Sequence, residues 1–477
     1  MDAAVWPELN VLTGEQIRFV HDRSLAILKR VGVRVDSPRA LEVLLASEGV
    51  NAAPGSSDDG VRVVFEGPVV EWALDVSPAV VPVFDRRGEP AFRLGEDRTR
   101  FGVGATNLFY QDPVTEELSP FSRRHMATSA RLAQDLPNFD LVSTIGVVQD
   151  YPSKTADLYA SLELIANTTK PLALLVSSED LFEPALDLAE SLHPGLADKP
   201  FLIPYLNPVT PLIINEGTAD KLIASVERGL PVIYNNYSMA GMSTPISAAG
   251  TLTLLNAELL AGLVLAQLIR PGTPVILGSL PAFFDMKTLQ DFWDPHSWLL
   301  NLACAEMMAH YGVPHSGTAG CGIGWGPDLA AGGQLWTNHL LSLMGKSGLA
   351  PAVGGTLGSK AFSPALTVYS NDVIGQAVRL SEGFLLSDQE LDLEAVLSQG
   401  PGGSFLTSQL TLGSFRQAYY DSELMPRIGM EEWEKRGRPQ FDSLLREQTR
   451  QLMEDHVPLD DYDDLIAKGE AFIKASA

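Results

Sequence analysis

From about residue 100 the chain repeats one pattern: a short apolar run rich in β-branched residues, a loop carrying polar and aromatic side chains, then a stretch with helical periodicity. The apolar runs begin near Arg100, Leu141, Pro171, Phe201, Pro231, Pro274, Gly312 and Gly348. Helical spacing fills 122–135, 153–168, 181–192, 216–228, 245–269, 295–311 and 328–344, and a last covering helix is expected over 371–385. Strands that are apolar throughout are those buried on both faces, and parallel neighbours need a crossover between them. Eight repeats of this kind specify an α/β chain folded as a (β/α)₈ TIM barrel, with its chemistry at the carboxyl ends of the strands. A doubly wound open sheet is the competing architecture, but no G-x-G-x-x-G motif follows a first strand.

The clearest unit runs from Leu230 to Ser279. Pro231–Tyr234 is a buried-strand run, Asn235, Asn236 and Tyr237 follow at once, and Thr244-Pro245 starts a helix that Pro271-Gly272 stops before the next strand. Within that helix Leu252–Ile269 approaches the length of a membrane span, yet Asn256 and Glu258 lie inside it and would be costly in lipid, so it is expected to be a core helix. Ahead of the barrel, Thr13-Gly-Glu-Gln16 has the form of a capping box, Gly32 ends the helix it opens, and strand-like runs at 61–64 and 80–83 form a small β element that lids or flanks the barrel. Residues 389–477 are charged and mostly helical, an appended region for subunit contact or docking. The expected layout is therefore 1–98 as a flanking α/β extension, 99–388 as the catalytic barrel and 389–477 as a C-terminal helical region, in a homo-oligomer.

A net charge of −25 argues against a nucleic-acid partner and an anionic membrane surface. Only Cys304 and Cys321 are present, which excludes a disulfide framework and fits a reducing cytoplasm. The first residues lack the basic and apolar regions of a signal peptide. There is no H-E-x-x-H, Cys-x-x-Cys or G-x-S-x-G, so no metal site and no serine nucleophile are expected.

If the barrel holds, its mouth receives residues 104–112 from strand one, Gln149 and Asp150 from strand two, and Tyr205, Asn207 and Pro208 from strand four. Asn235, Asn236 and Tyr237 follow strand five, Ser279 and the aromatics Phe283, Phe284, Phe292, Trp293 and Trp298 follow strand six, and glycine-rich loops 317–326 and 354–358 follow strands seven and eight. Aromatic rings and carboxamides dominate, and cations are scarce. Such rings attract a quaternary ammonium, which has no N–H to donate. Phe109, Tyr110, Tyr237, Trp293, Trp298 and Trp325 are cage candidates; Asn107, Gln111 and Asn236 are candidate polar contacts, and His339 a candidate donor to a substrate carboxylate. Gly320, Gly322, Gly324 and Gly326 would let backbone approach a flat cofactor face.

Met239-Ala-Gly-Met-Ser-Thr-Pro245, Ala248-Ala-Gly250, Asn256-Ala-Glu258 and Arg270-Pro-Gly-Thr-Pro-Val275 together resemble the trimethylamine methyltransferase family of corrinoid-dependent tertiary and quaternary amine demethylases. The likeness continues in Ala26–Val35 and in Leu132-Ala-Gln-Asp-Leu-Pro-Asn138, and covers roughly residues 8 to 390. It implies a barrel, and a corrinoid carried by a separate partner protein. It also implies that the trimethylamine-specific members bear pyrrolysine near the position of Ile323–Gly326, ahead of a pattern that Pro327-Asp-Leu-Ala-Ala-Gly332 resembles. No residue here is non-standard, which points to the branch acting on quaternary amines such as glycine betaine.

The expected reaction moves a methyl group from the quaternary amine to Co(I) of the partner's corrinoid and releases a tertiary amine. Because cobalt is the nucleophile, no catalytic residue is assigned; orientation and exclusion of water are the protein's tasks. The alternatives are a methyltransferase using another N- or O-methyl donor, a non-catalytic sensor of betaines, and an unrelated barrel lyase or hydrolase.

Overall fold

The computed structural model describes residues 3–54, 60–96, 98–104, 106–318, 322 and 324–476. Eight parallel strands close on themselves: β1 (Arg100–Val103), β2 (Leu141–Ser143), β3 (Leu172–Leu174), β4 (Leu202–Leu206), β5 (Val232–Ala240), β6 (Val275–Asp285), β7 (His315–Ser316) and β8 (Leu349–Val353). The seam is β8 on β1, where Leu349 pairs with Arg100; the longest ladder joins β5 to β6 from Val232↔Val275 to Ala240↔Phe283. Their covering helices are α1 (Arg123–Asp135), α2 (Ser153–Asn167), α3 (Phe182–Leu192), α4 (Glu216–Glu227), α5 (Ala248–Ile269), α6 (Pro295–Tyr311), α7 (Leu329–Met344) and α8 (Pro364–Ser381). The barrel expected from the strand and helix spacing is thus present.

Two helix starts differ from expectation. Helix α8 begins at Pro364, not near 371, because Ser363 caps it by accepting from the Leu366 amide and proline is suited to the first turn. Helix α5 begins at Ala248, where Ser247 accepts from the Gly250 amide, so Thr244-Pro245 lies in the preceding turn.

The apolar α5 is buried as expected of a core helix, and each polar residue inside it is bonded. Asn256 donates to Ser24 Oγ and to the Tyr311 hydroxyl, both at 2.9 Å. Gln267 donates to the Thr273 carbonyl at 2.9 Å and accepts from the Gly272 amide at 2.8 Å.

The N-terminal helix Gly14–Arg30, with both bonds of the Thr13–Gln16 capping box formed, lies against α5. A four-stranded sheet of Val33–Val35, Val50–Ala52, Val61–Phe65 and Ile213–Ile214 continues it. The hairpin Val81–Phe84 with Pro90–Leu94 does something more specific. Its Val81, Val83, Phe92 and Leu94 pack into one cluster with Leu141, Ala173, Ile203, Ile233, Ile276 and Leu349, the first inward side chains of six barrel strands. The hairpin therefore stoppers the amino-terminal end of the barrel. C-terminal helices Phe441–Glu454 and Tyr462–Ser476 lie on the outer helices, and Arg86 in the hairpin turn, with a fully buried side chain, holds Asp461 at 2.7 and 2.9 Å.

Candidate functional site

Strand parity decides which side chains the lumen can use. Ile233 belongs to the floor cluster, so Asn235 and Tyr237 on the same strand also face inward. Tyr234 faces the other way, so close to α5 that a methyl group on Gly262 would sit 2.2 Å from its ring, and Asn236 follows that parity. By the same alternation β4 supplies Tyr205 and Asn207, β6 Gly278 and Leu280, β7 Ser316, and the turn after it Thr318. Tyr205, Tyr237 and Leu280 keep part of their surface open and Asn207 is exposed, while Leu206, Asn236 and Ser279 are buried. The lumen therefore opens to solvent at the carboxyl ends of the strands.

Its polar lining is organised around Asn235. The Asn235 carboxamide Nδ2 donates to the Tyr205 hydroxyl, and Asn207 Nδ2 donates to the Asn235 carbonyl at 2.7 Å. Asn235 Oδ1, Ser316 Oγ and Thr318 Oγ1 are buried and have no hydrogen-bond partner among the described residues. Gly278 makes room for them: a methyl group there would lie 2.0 Å from the Ser316 carbonyl and 2.4 Å from Asn235 Oδ1. None of these inward residues carries a charge at neutral pH. The lumen can therefore bind through π-faces, carboxamides and hydroxyls, and these inward residues include no carboxylate, imidazole, amine or thiol.

Behind the sheet the chemistry is different. Asn236 donates to the Leu255 carbonyl at 3.0 Å and to Glu258 at 2.9 Å, and its Oδ1 accepts from Ser279 at 2.8 Å. Glu258 also accepts from the Thr210 hydroxyl at 2.9 Å and the Leu212 amide at 2.5 Å. Burial pushes its carboxyl up to about 7 against the pull of those three donors. Asn236, expected at the substrate, thus braces β5 against α5. His339 is likewise removed from the mouth: it is fully buried between α7 and β1, edge-on to Phe101 with ring centres 5.5 Å apart.

The rim accounts for the other expected residues. Tyr110 is in the core, stacked on His125 at 4.1 Å, and burial raises its hydroxyl pKa. Phe109 is 39% exposed on a four-stranded rim sheet formed by Gly355–Thr356, Ala361–Phe362, Phe109–Gln111 and Leu118–Pro120. Asn107 Nδ2 donates to the Ile145 carbonyl at 2.8 Å, and Gln111 Nε2 to the Trp325 carbonyl at 2.8 Å, so both donate to backbone; their oxygens are buried with no hydrogen-bond partner among the described residues. The Trp325 side chain is 80% exposed. Trp293 and Trp298 are half-buried, one after the hairpin arm formed by β6 with Gln290–Phe292, the other in the first turn of α6. Tyr237 is tied to that arm, its hydroxyl donating to Asp291 at 2.5 Å. With Tyr110 in the core and Trp325 80% exposed, the six aromatic candidates are not gathered in one place; strand parity turns Tyr237 to the lumen, and with it Tyr205, which is not among the six.

The glycine-rich loop is also occupied by its own chain. A methyl group on Gly324 would lie 2.8 Å from Asp328 Oδ1, one on Gly326 3.0 Å from Gln111 Nε2, and the Gly322 amide donates to the Gly355 carbonyl at 3.1 Å. These glycines let the loop pack closely on its own chain, with Gly324 at φ +109° and Gly326 at φ +152°. Gly320 lies outside the described residues, as do Cys321 and Ile323. Among the described residues no group of three His, Cys, Asp or Glu side chains could hold a metal ion.

Large apolar side chains surround the mouth in the open: Met242 and Ile246 after β5, Met286 and Leu289 in the arm, Trp325 and Leu329 after β7. Exposed apolar side chains gathered in this way are suited to contact with another molecule.

Comparison with known proteins adds four findings. A sequence profile described as "Trimethylamine methyltransferase (MTTB)" matches residues 3–471. The glycine betaine methyltransferase of Desulfitobacterium hafniense strain Y51 is 29% identical, over 98% of this chain and 97% of its own length. The trimethylamine methyltransferase MttB of Desulfitobacterium hafniense strain DSM 10664 / DCB-2 is 25% identical, over 93% of this chain and 89% of its own. Among solved structures, the monomethylamine methyltransferase MtmB of Methanosarcina barkeri superposes with a TM-score of 0.49 at 9% identity, covering 94% of this chain and 88% of that one.

Proposed function

The chain belongs to the trimethylamine methyltransferase family, and from that premise we propose that it transfers a methyl group from glycine betaine or a related betaine to Co(I) of a corrinoid carried by a separate protein, releasing a tertiary amine. That it is a methyltransferase follows from the family; the betaine and the corrinoid partner are the further reading. Of the two curated relatives compared above, the one that covers more of the chain is the glycine betaine methyltransferase. The absence of any non-standard residue near Trp325 also separates the chain from the trimethylamine-specific pattern.

The observation that carries the reading is that the inward residues of strands β4 to β7 carry no charge at neutral pH. A betaine is a zwitterion with no net charge, and a fixed carboxylate or guanidinium in the lumen would favour one of its ends at the expense of the other. Here Tyr205 and Tyr237 offer π-faces to the trimethylammonium, and the hydroxyls of Ser316 and Thr318 have hydrogens to donate to the carboxylate. Asn235 Oδ1 places a partial negative charge beside the N-methyl carbons. In the transfer the C–N bond breaks with its electron pair remaining on nitrogen, and the methyl group passes to cobalt, which supplies the nucleophile. The chain's residues bind and orient the amine and keep water from it. The open rim, apolar and broad, gives the corrinoid-bearing protein a place to sit.

The test is to incubate the protein with glycine betaine and a corrinoid reduced to Co(I), then to measure dimethylglycine by mass spectrometry. Product formation that requires all three components is expected. Binding of betaines by calorimetry with no product from glycine betaine, proline betaine or carnitine would replace the enzyme with a sensor. An absence of binding to any of them would remove the betaine reading.

A further inference from the structure

A cavity of 720 Å³ opens where the C-terminal region lies on the barrel. Its walls are Asp135, the last residue of α1, the segment around Leu424, and the helix Phe441–Glu454 with the turn that follows it. Barrel helices run back against the strands they follow, so the end of α1 lies at the stoppered end of the barrel. The cavity is therefore separate from the lumen, and its volume is that of a small-molecule site.

Four carboxylates line it, Asp135, Glu423, Glu447 and Asp455, and no lysine or arginine does. Glu447 is held by Arg450 and Asp135 by His456, but neither Glu423 nor Asp455 forms an ion pair among the described residues. His456 adds what carboxylates alone do not. Its side chain is 5% exposed, its Nδ1 is bonded to Asp135 Oδ2 at 2.5 Å, and its Nε2 is buried with no hydrogen-bond partner among the described residues. A carboxylate only accepts, so Nδ1 is the donor and the neutral ring keeps a lone pair on Nε2. A buried acceptor costs free energy until a donor reaches it. Among these carboxylates the donor that fits is positively charged. Among the described residues no group of His, Cys, Asp and Glu side chains could hold a metal ion, which leaves an organic cation.

The rest of the wall narrows the class. Leu424, Leu444, Leu452 and Val457 present apolar surface suited to methylene groups, and no tyrosine, tryptophan or phenylalanine lines the cavity. A quaternary ammonium would find no π-face here and has no N–H for His456 Nε2. Ammonium groups that do carry N–H, joined by a methylene chain, match both the polar and the apolar parts.

We propose that this cavity binds a linear aliphatic polyamine, with one ammonium donating to His456 Nε2, others meeting Glu423 and Asp455, and the methylene chain lying on the leucines. Bound there, the polyamine ties α1 to the C-terminal region. The proposal does not depend on the betaine or on the methyl acceptor.

Calorimetric titration of the full chain with spermidine, at about 0.15 M salt so that exposed charges are largely screened, tests it. Saturable binding of one spermidine per chain and a raised melting temperature are expected. Hexamethonium, which has the charges and the methylene chain but no N–H, should bind about tenfold or more weakly. The double variant Glu423→Gln, Asp455→Asn should weaken spermidine by a similar factor, whereas Glu48→Gln, at an exposed carboxylate in the N-terminal extension, should leave its affinity unchanged. The hexamethonium comparison uses the unaltered chain, so it decides the matter even if the double variant fails to fold. No saturable binding of spermidine, equal affinity for hexamethonium, or an equal loss in Glu48→Gln would overturn the proposal.

Discussion

Asn235 and Asn236 are neighbours in the chain and serve opposite sides of one strand: the first turns its carboxamide to Tyr205 in the lumen, the second turns its own to Glu258 behind the sheet. Their substitutions should therefore separate. Asn235→Ala should lower kcat/KM by about tenfold or more, the worth of one lost hydrogen bond at the site, with little change in melting temperature. Asn236→Ala removes one of three donors to Glu258 and the acceptor of the Ser279 hydroxyl, and should cost about 1–3 kcal/mol of stability. Thermal unfolding beside a product assay reads both; equal loss of stability in the two would contradict the parity assignment.

Glu258 predicts a pH dependence. Its carboxyl is raised from an ordinary 4.5 to about 7 by burial, so the folded chain holds a proton that the unfolded chain has released. The stabilisation is full below the ordinary value and is lost as pH rises through about 7, by up to roughly 3 kcal/mol. Urea unfolding from about pH 5 to about pH 8 should show this decline, and Glu258→Gln should flatten it. Parallel curves for the two proteins would count against a raised carboxyl.

Arg86 and Asp461 predict the reverse slope at acid pH. Hydrogen bonds from Arg86 hold the Asp461 carboxyl below the usual range, so its contribution is present above that range and lost as pH falls through it. Asp461→Ala leaves a buried guanidinium with one fewer partner and should cost about 3–5 kcal/mol. Limited proteolysis should then cut at 86–89 or ahead of Tyr462. Unchanged stability would mean that His193 and the Thr168 carbonyl alone suffice for Arg86.

Tyr237 bridges the lumen and the β6 arm through Asp291. Removing the hydroxyl in Tyr237→Phe keeps the ring that faces the substrate and releases the arm. The expected result is a several-fold rise in KM for the methyl acceptor with amine affinity nearly unchanged, since the bond is half-exposed. A loss confined to amine binding would place the hydroxyl in the substrate site.

The barrel was legible because fully buried strands are written as short apolar runs, and each expected start falls within three residues of a strand. The capping box at Thr13 and the buried polar residues of α5 were legible for the same local reason. The site was less so. Ile233-Tyr-Asn-Asn-Tyr237 gives no alternation by which to tell inside from outside; only the contacts of Ile233 with the floor and Tyr234 with Gly262 set the phase. The rings of Tyr110 and Trp325 occur in similar loops, yet one stacks on His125 and the other points to solvent, a difference made by tertiary packing. The α8 start could have been read, since Ser363-Pro364 is a cap followed by a first-turn proline.

The stopper formed by Val81–Phe84 and Pro90–Leu94 leaves the barrel a single doorway. Whatever enters must leave by the route it came, and a macromolecule resting over that doorway shuts reactant in and product in alike. Under the proposed function, with an acceptor protein seated over that doorway, turnover is sequential: the amine enters first, the acceptor covers it, and product leaves after the acceptor does. Excess acceptor should therefore inhibit competitively against the amine, a kinetic signature imposed from the far end of the molecule by four apolar side chains.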